Sequence, residues 1–444
     1  MNSHRSHRSS SGRSSVGRSR IDRRSLLTAF GVGGAGAALA ACGGPGSGGS
    51  DEPDTAPEPG GEAGGTVNFY HWRSEDKAVL DELATAFTEQ SGVTIEQTID
   101  PSEQYQSTAA QKARGGDIGD ALTAFRGTQL DQFADLGIFT DLGDASYVGN
   151  YEENLISPGQ HEGTQLGLPY QLVFNMPLLN TELAEQAGVS EVPRDWDAYL
   201  DLMDKLKGIG VTPIAWPGND PANAFQIINS LAMNAGPDDE MFAKIETGEN
   251  KATDDWWVKA LAQFQELSTC FQDNFSGSGV DGVLSLFSQG EAAILPTGSY
   301  QIGQVREAGA EFPLEFAPVM TNASGEEPAY EGIFNSTYIL GINSAATNPE
   351  GAAAWIEFLS DPVNAAVYGD GTSQHVTVQG VEYENPDLQA LSPWISKNTL
   401  LAPRFQFIDL DIRSAIENSL IAVATGSTPE QAAEEAQKLV EEQL

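Results

Sequence analysis

TVNFYHWRSEDKAVLDELATAFTEQSGVTIEQTI, residues 66–99, is the stretch that decides the fold class. Apolar side chains alternate through Thr66-Val67-Asn68-Phe69-Tyr70, the period of a strand. From Ser74 the period changes. Val79, Leu80, Leu83, Ala86 and Phe87 recur at helical spacing, with Glu75 and Asp76 placed in the first turn, where carboxylates suit the helix dipole, and Ser91-Gly92 as the stop. Val93, Ile95 and Ile99 then return to a period of two. Strand, helix, strand is a βαβ opening, and it predicts an α/β protein with a parallel sheet covered by helices.

Working downstream, the same alternation continues. Helices are expected over 104–114, 130–136, 182–188, 196–206 and 256–271, and strands over 121–125, 292–295 and 338–342. Asn348-Pro349-Glu350 opens a helix with Asn as cap and Pro at the first helical position. Thr428-Pro429-Glu430-Gln431 is a capping box for the last one. There is no internal repeat, heptad run or second linker. About 380 residues are enough for two lobes with separate cores.

Upstream, the chain reads as an address. Five arginines stud a Ser-rich lead, and Asp22-Arg23-Arg24-Ser25-Leu26-Leu27 matches a twin-arginine export signal, although paired arginines also serve the general route. The weakly apolar run 29–41 is too short and Gly-rich for a transmembrane helix, and it ends at Leu39-Ala40-Ala41-Cys42. That ending resembles a lipobox, with residues 1–41 as a signal peptide and Cys42 as the lipidated thiol, which puts the protein on the outer face of the cell membrane. Residues 42–65 are Gly-, Pro- and Glu-rich and read as a flexible tether. Removing 1–41 takes away seven Arg and one Asp, so a formal net charge of −40 becomes −46. A surface so acidic argues against nucleic acid or anionic membrane as partner, since both need a basic footprint. With Cys42 assigned to lipid, Cys270 is left as a small buried hydrophobe and no intrachain disulfide is expected.

Several segments, in order, resemble the family-1 extracellular solute-binding proteins, the group that includes maltose-binding protein. They are the first strand with Trp72 after it; Ala113 to Ala121, with Gly119 where Pro is usual; Leu136-Gly137-Ile138-Phe139-Thr140-Asp141-Leu142; Gly167-Leu168-Pro169-Tyr170; and Pro193-Arg194-Asp195-Trp196. The most specific is Phe287 to Tyr300, similar to the family's Phe-x-x-Gly-x-Ala-Ala-Met and Gly-Ser-Trp, with Tyr300 as the final aromatic. Glu331 to Ser344 resembles a return crossing. The resemblance implies a two-lobe, periplasmic-binding-protein-like (type II) fold with interleaved lobes, residues 66–172 plus 336–390 in one and 173–335 plus 391–444 in the other. It also implies a monomeric receptor that binds a sugar in the interlobe cleft and passes it to ABC permease subunits, with no catalytic residue, cofactor or metal.

A sugar shows C–H faces that stack on aromatic rings and hydroxyls that need fixed donors and acceptors. At positions where the family forms its cleft, the candidates are His71, Trp72 and Arg73 after the first strand; Phe125 and Arg126; Tyr170 and Gln171 in the crossing; Trp216 and Asn219 in a Gly/Pro loop; Tyr300; Phe334 and Asn335 in the return crossing; and Trp394 and Arg404. Trp196, Trp256, Trp257 and Trp355 sit on amphipathic helices and are expected in the core or on helix surfaces. The aromatic-plus-amide set favours a neutral polyol over a polyamine, thiamine or a ferric complex. A glycoside hydrolase is the rival class, but the many carboxylates single out no catalytic pair. No nucleophile elbow, zinc-binding His-Glu-x-x-His or phosphate-cradling loop occurs, and His71, His161 and His375 are scattered.

Overall fold

The computed structural model describes residues 55–57, 64–100 and 102–444. The expected signal peptide 1–41, Cys42 and most of the tether lie outside the described residues. Where the tether is described it is not free of the domain: Thr55 forms a bridge with Asp141, and the Ala56 amide donates to the Asp141 carbonyl at 2.8 Å.

The opening segment folds as β1 (Gly65–His71), α1 (Lys77–Ser91) and β2 (Val93–Ile99), with β1 and β2 parallel from Gly65↔Val93 to His71↔Ile99. Helix α1 starts later than its sequence suggests. The Asp76 carboxylate does not cap it; it is drawn to Arg73 Nε at 2.9 Å, Tyr368 Oη at 2.5 Å and Gln171 Nε2 at 3.1 Å. After α2 (Ser102–Gly115), β3 (Ala121–Ala124) pairs parallel with β1, and α3 (Thr128–Asp135) follows.

The remaining strands of this sheet depart from the expected parallel pattern, because the chain leaves and returns. Strand β4 (Leu168–Val173) runs outward. Strand β5 (Leu178–Asn180), helix α4 (Trp196–Gly208), β6 (Thr212–Ile214), α5 (Asp255–Ser268), β7 (Ala292–Leu295) and β8 (Leu314–Phe316) follow before the return along β9 (Gly332–Ile342). Strand β9 is antiparallel to both β3 and β4, with Asn335↔Val173 and Leu340↔Leu168 marking the crossing pair. Helices α6 (Pro349–Leu359) and α7 (Pro362–Thr372) and strand β10 (His375–Val376) complete this part. The chain then recrosses to β11 (Thr399–Leu401), α8 (Leu410–Ala424) and α9 (Pro429–Glu441). The first sheet has the order β10-β4-β9-β3-β1-β2, with β11 alongside β9; the second has the order β8-β5-β7-β6.

Two apolar cores result. One gathers Val67, Phe69, Leu122, Tyr170, Ile339 and Trp355; the other gathers Leu172, Trp216, Trp257, Ile294, Ile333 and Leu420. Both crossing strands change core midway, β4 between Tyr170 and Leu172 and β9 between Phe334 and Tyr338. These are the cores of a first and a second lobe. Cys270 is 3% exposed within the second.

Local chemistry explains the boundaries. Asn348 Oδ1 accepts from the Gly351 amide ahead of Pro349, and Thr428 and Gln431 close a reciprocal capping box. Gly119 has φ +88°, which a proline cannot adopt, and a Cβ there would lie 2.8 Å from the Asn68 carbonyl oxygen. Beside it, Asp120 ties β1 to the start of α6. Its carboxylate accepts from the amides of Asn68, Thr347 and Asn348 at 2.7–3.1 Å and from the Thr347 hydroxyl at 2.8 Å. Burial pushes this carboxyl upward, but the hydrogen bonds outweigh it and hold its pKa below the ordinary aspartate value. Asp120→Asn, which turns an amide N–H toward a backbone donor, should therefore cost about 2 kcal/mol in urea unfolding at pH 7. In the wild type this contribution is present above pH 3.8 and is lost as the pH falls through the lower folded value. An unchanged midpoint for the variant would remove Asp120 from the framework.

Candidate functional site

Strand β3 ends at Ala124 and α3 begins at Thr128, so Phe125 and Arg126 leave the sheet at its carboxyl end, where α/β folds bind ligands. Here they meet the crossing strand β9 and the segment 402–413 of the second lobe. The three form a cavity of about 360 Å³. From the first lobe come Phe125, Arg126, Thr128, Gln129 and Gln132; from β9, Asn335 and Thr337; from the second lobe, Phe405, Phe407, Ile408, Leu410 and Arg413. Arg126 spans the gap. Its Nε donates to Asn335 Oδ1 at 2.5 Å, its Nη2 to the Ala402 carbonyl at 2.9 Å, and its guanidinium lies 5.2 Å from the Phe405 ring centroid. Gln129 accepts from the Phe125 amide at 2.8 Å, which fixes the loop.

Of the sequence candidates, Phe125, Arg126 and Asn335 share this cavity. The others are placed differently. Trp72 is 4% exposed, stacked on Phe125 at 3.9 Å and 18°, and enclosed by Tyr105 and Tyr338; it backs the ring that lines the cavity instead of lining it. His71 is wholly buried against Phe69 with Nε2 on Gln97 Oε1 at 2.8 Å, and Arg73 is committed to Asp76 and Glu75. Tyr170 is buried and donates to the Leu359 carbonyl, while Gln171 is held by Asp76 and Tyr368. These are framework roles: His71 is buried at the end of β1, Tyr170 and Gln171 are buried on β4, and Arg73 is tied down in the loop before α1.

Trp216, a ligand candidate by its Gly/Pro loop, is instead part of the second core. Its ring has no exposure, stacks on Phe271 at 4.9 Å, and its Nε1 donates to the Ala224 carbonyl at 2.8 Å. The Gly/Pro loop that follows carries Asn219 into solvent, away from the cavity. Phe334 packs into the second core. Trp394 lies under Lys397 and donates to Glu315 Oε1 at 2.7 Å, in a separate cavity of about 490 Å³ on the second lobe alone. Arg404 is 5% exposed and paired with Glu417 at 2.6 Å, although its neighbour Phe405 lines the interlobe cavity. Tyr300 is half-buried after the β7 turn, its hydroxyl donating to Asn223 Oδ1 at 2.7 Å. Gly298 permits that turn, since a Cβ would meet the Tyr300 ring at 2.6 Å.

Sequence reasoning passed over Gln129, Gln132, Thr337, Phe405, Phe407 and Arg413. The alternation Arg404-Phe405-Gln406-Phe407 was a signal of the kind used elsewhere in the chain, but it lies in a segment with no strand or helix period to place it.

Residues 72–366 match the family model described as bacterial extracellular solute-binding protein. One relative, the "Probable sugar-binding periplasmic protein" of Brucella melitensis biotype 1, is 26% identical over 198 residues, covering 43% of this chain and 47% of that one. The chain thus spans about half the length of the curated relatives it matches at this identity. The "Multiple sugar-binding protein" of Streptococcus mutans serotype c is 18% identical over 336 residues, 74% of this chain and 79% of that one. Among solved structures, RafE of Streptococcus pneumoniae without ligand superposes with a TM-score of 0.71 at 17% identity, covering 86% of this chain and 98% of its own. The fold is thereby the two-lobe, type II solute-binding fold, and with two thirds of its length under the family model the chain belongs to the bacterial extracellular solute-binding proteins.

Proposed function

We propose that this protein is the receptor of an ABC-type importer, capturing a sugar or oligosaccharide between its lobes and delivering it to membrane permease subunits. The observation that carries this reading is the interlobe cavity, where aromatic rings from both lobes lie beside amides, hydroxyls and guanidiniums, two of these polar side chains coming from a crossing strand. Phe125, Phe405 and Phe407 suit the C–H faces of a pyranose; Gln132, Asn335, Thr337 and Arg413 suit its hydroxyls. Relatives named as sugar-binding proteins, and a neighbour solved with raffinose, support it. We read the lobes as 66–172 plus 336–390 and 173–335 plus 391–444, the protein as a monomer exported by the twin-arginine route, and Cys42 as its lipid anchor, which keeps the receptor near its permease and raises their effective concentration.

Ligand that touches both lobes favours the closed arrangement over any open one, and closure removes it from water. A thermal-shift screen against mono- to tetrasaccharides, polyamines and thiamine tests the reading. A ligand binding only the folded state at 100 times its Kd stabilises it by about 2.7 kcal/mol. The expected result is a rise with a saccharide that is lost in Phe125→Ala, together with a smaller radius of gyration in small-angle scattering. A rise with thiamine or a polyamine alone would replace the sugar, and slow cleavage of a sugar would replace the receptor with a hydrolase.

A further inference from the structure

The charge of the cavity opposes that of the chain. The protein has a formal net charge of −40, yet among the described residues the side chains lining the interlobe cavity include two guanidiniums, Arg126 and Arg413, and no carboxylate. Arg126 gives two of its five N–H donors to neutral oxygens, and burial without a counter-ion lowers its pKa to about 10. Arg413, on the first turn of α8, is ion-paired through Nε with Glu417 one turn on at 3.6 Å, and among the described residues that buried Nε has no hydrogen-bond acceptor. Glu417 is already engaged by Arg404 at 2.6 Å. Two guanidiniums, Arg404 and Arg413, therefore share one carboxylate, and Arg126 is paired with neutral oxygens.

Two further features border the same space. Gln129 lines the cavity and is 6% exposed, and with its Oε1 fixed by the Phe125 amide its buried Nε2 has no hydrogen-bond acceptor among the described residues. Helix α3 starts at the cavity wall with Thr128 and has no side-chain cap, so its first amides add partial positive charge. Carboxylates on the same elements are turned elsewhere. Asp131 bonds His161 at 2.9 Å, Asp409 caps α8 through the amides of Asp411 and Ile412, and Asp411 is exposed. A buried donor left unpaired is costly, and a guanidinium fork donates two parallel hydrogen bonds to a carboxylate or phosphate.

We propose that the solute is a negatively charged saccharide, a uronate or a sugar phosphate, whose anionic group lies between Arg126, Arg413 and the start of α3. This rests on the saccharide reading above and narrows it from the neutral polyol that the sequence favoured.

Isothermal titration of the full chain with digalacturonate and glucose 6-phosphate, each beside its neutral counterpart (digalactose and glucose), tests it. One charged sugar is expected to bind about tenfold or more tightly than its neutral counterpart at low salt, the interval expected for charge-assisted hydrogen bonds. The margin should shrink as salt screens the pairing. Arg413→Gln should close it, and the salt titration of the wild type carries the same information should that variant misfold. Preference between the two charged sugars identifies the anionic group. If neutral sugars bind as well or better, the charge inference falls and the saccharide receptor stands. If inorganic phosphate binds but no saccharide does, the saccharide reading falls with it, and binding of none of these probes removes both.

Discussion

Between pH 6.5 and pH 4 the protein is expected to lose several kcal/mol of stability as two buried histidines resist protonation. His71 and His375 are both wholly buried. Desolvation lowers each imidazole from 6.5 to about 4, against smaller opposing effects of the hydrogen bonds to Gln97 and to the Leu388 carbonyl. The His71 ring has no room for a second proton: Nε2 faces Gln97 Oε1, and Nδ1 accepts from the Arg73 amide at 3.2 Å. The folded-state values lie below the unfolded one, so in this window the unfolded chain binds protons that the native protein refuses. Stability is complete above pH 6.5 and declines as the pH falls toward 4. Two such groups give a limiting slope of about 2.7 kcal/mol per pH unit. Urea midpoints taken from pH 7 to 4.5 read this directly. A flat curve to pH 5, or imidazole resonances titrating near 6.5, would show that these rings reach solvent.

The second large effect is on Trp216. Trp216→Ala should cost about 3–5 kcal/mol, the range for deleting a buried large aromatic. The ring sits among Phe264, Phe271 and Phe275, and its loss also strands the Ala224 carbonyl. Solute affinity of the folded fraction should stay within a factor of about two, since the side chain is away from the interlobe cavity. A variant that is stable but binds poorly would return Trp216 to the ligand.

These two expectations mark the boundary between what residue patterns reveal and what they do not. The βαβ opening was legible because Val67, Phe69 and Leu80 to Phe87 bury one face at the period of their own element. The starts of α6 and α9 were legible because capping is chemistry between near neighbours. The antiparallel course of β9 was not, since it depends on a partner more than two hundred residues earlier in the chain, Leu340 on Thr123. The cavity was legible only in part, at Phe125, Arg126 and Asn335. A tryptophan in a Gly/Pro loop looks exposed by composition, but Ala215, Trp216 and Pro217 continue the burial of β6 past its last ladder bond. Trp72 was placed at the correct strand end, yet Phe125 covers it. Which of two adjacent aromatics faces outward is settled by packing between elements distant in sequence, and Arg413 became visible only when α8 was seen against Arg404 and Glu417.

The interleaving has a consequence for the newborn chain. As the protein emerges from the ribosome, β1, β2 and β3 can associate early, but the strand that closes the far edge of β3 is β9. Some two hundred residues separate them, roughly 10–40 seconds of synthesis at ordinary elongation rates. During that interval β3, with all four side chains buried in the finished protein, is an apolar unpaired edge, the feature that invites wrong pairings. Intermediates truncated between residues 180 and 330 should therefore be the species that chaperones hold, while the second lobe waits for its own final helices.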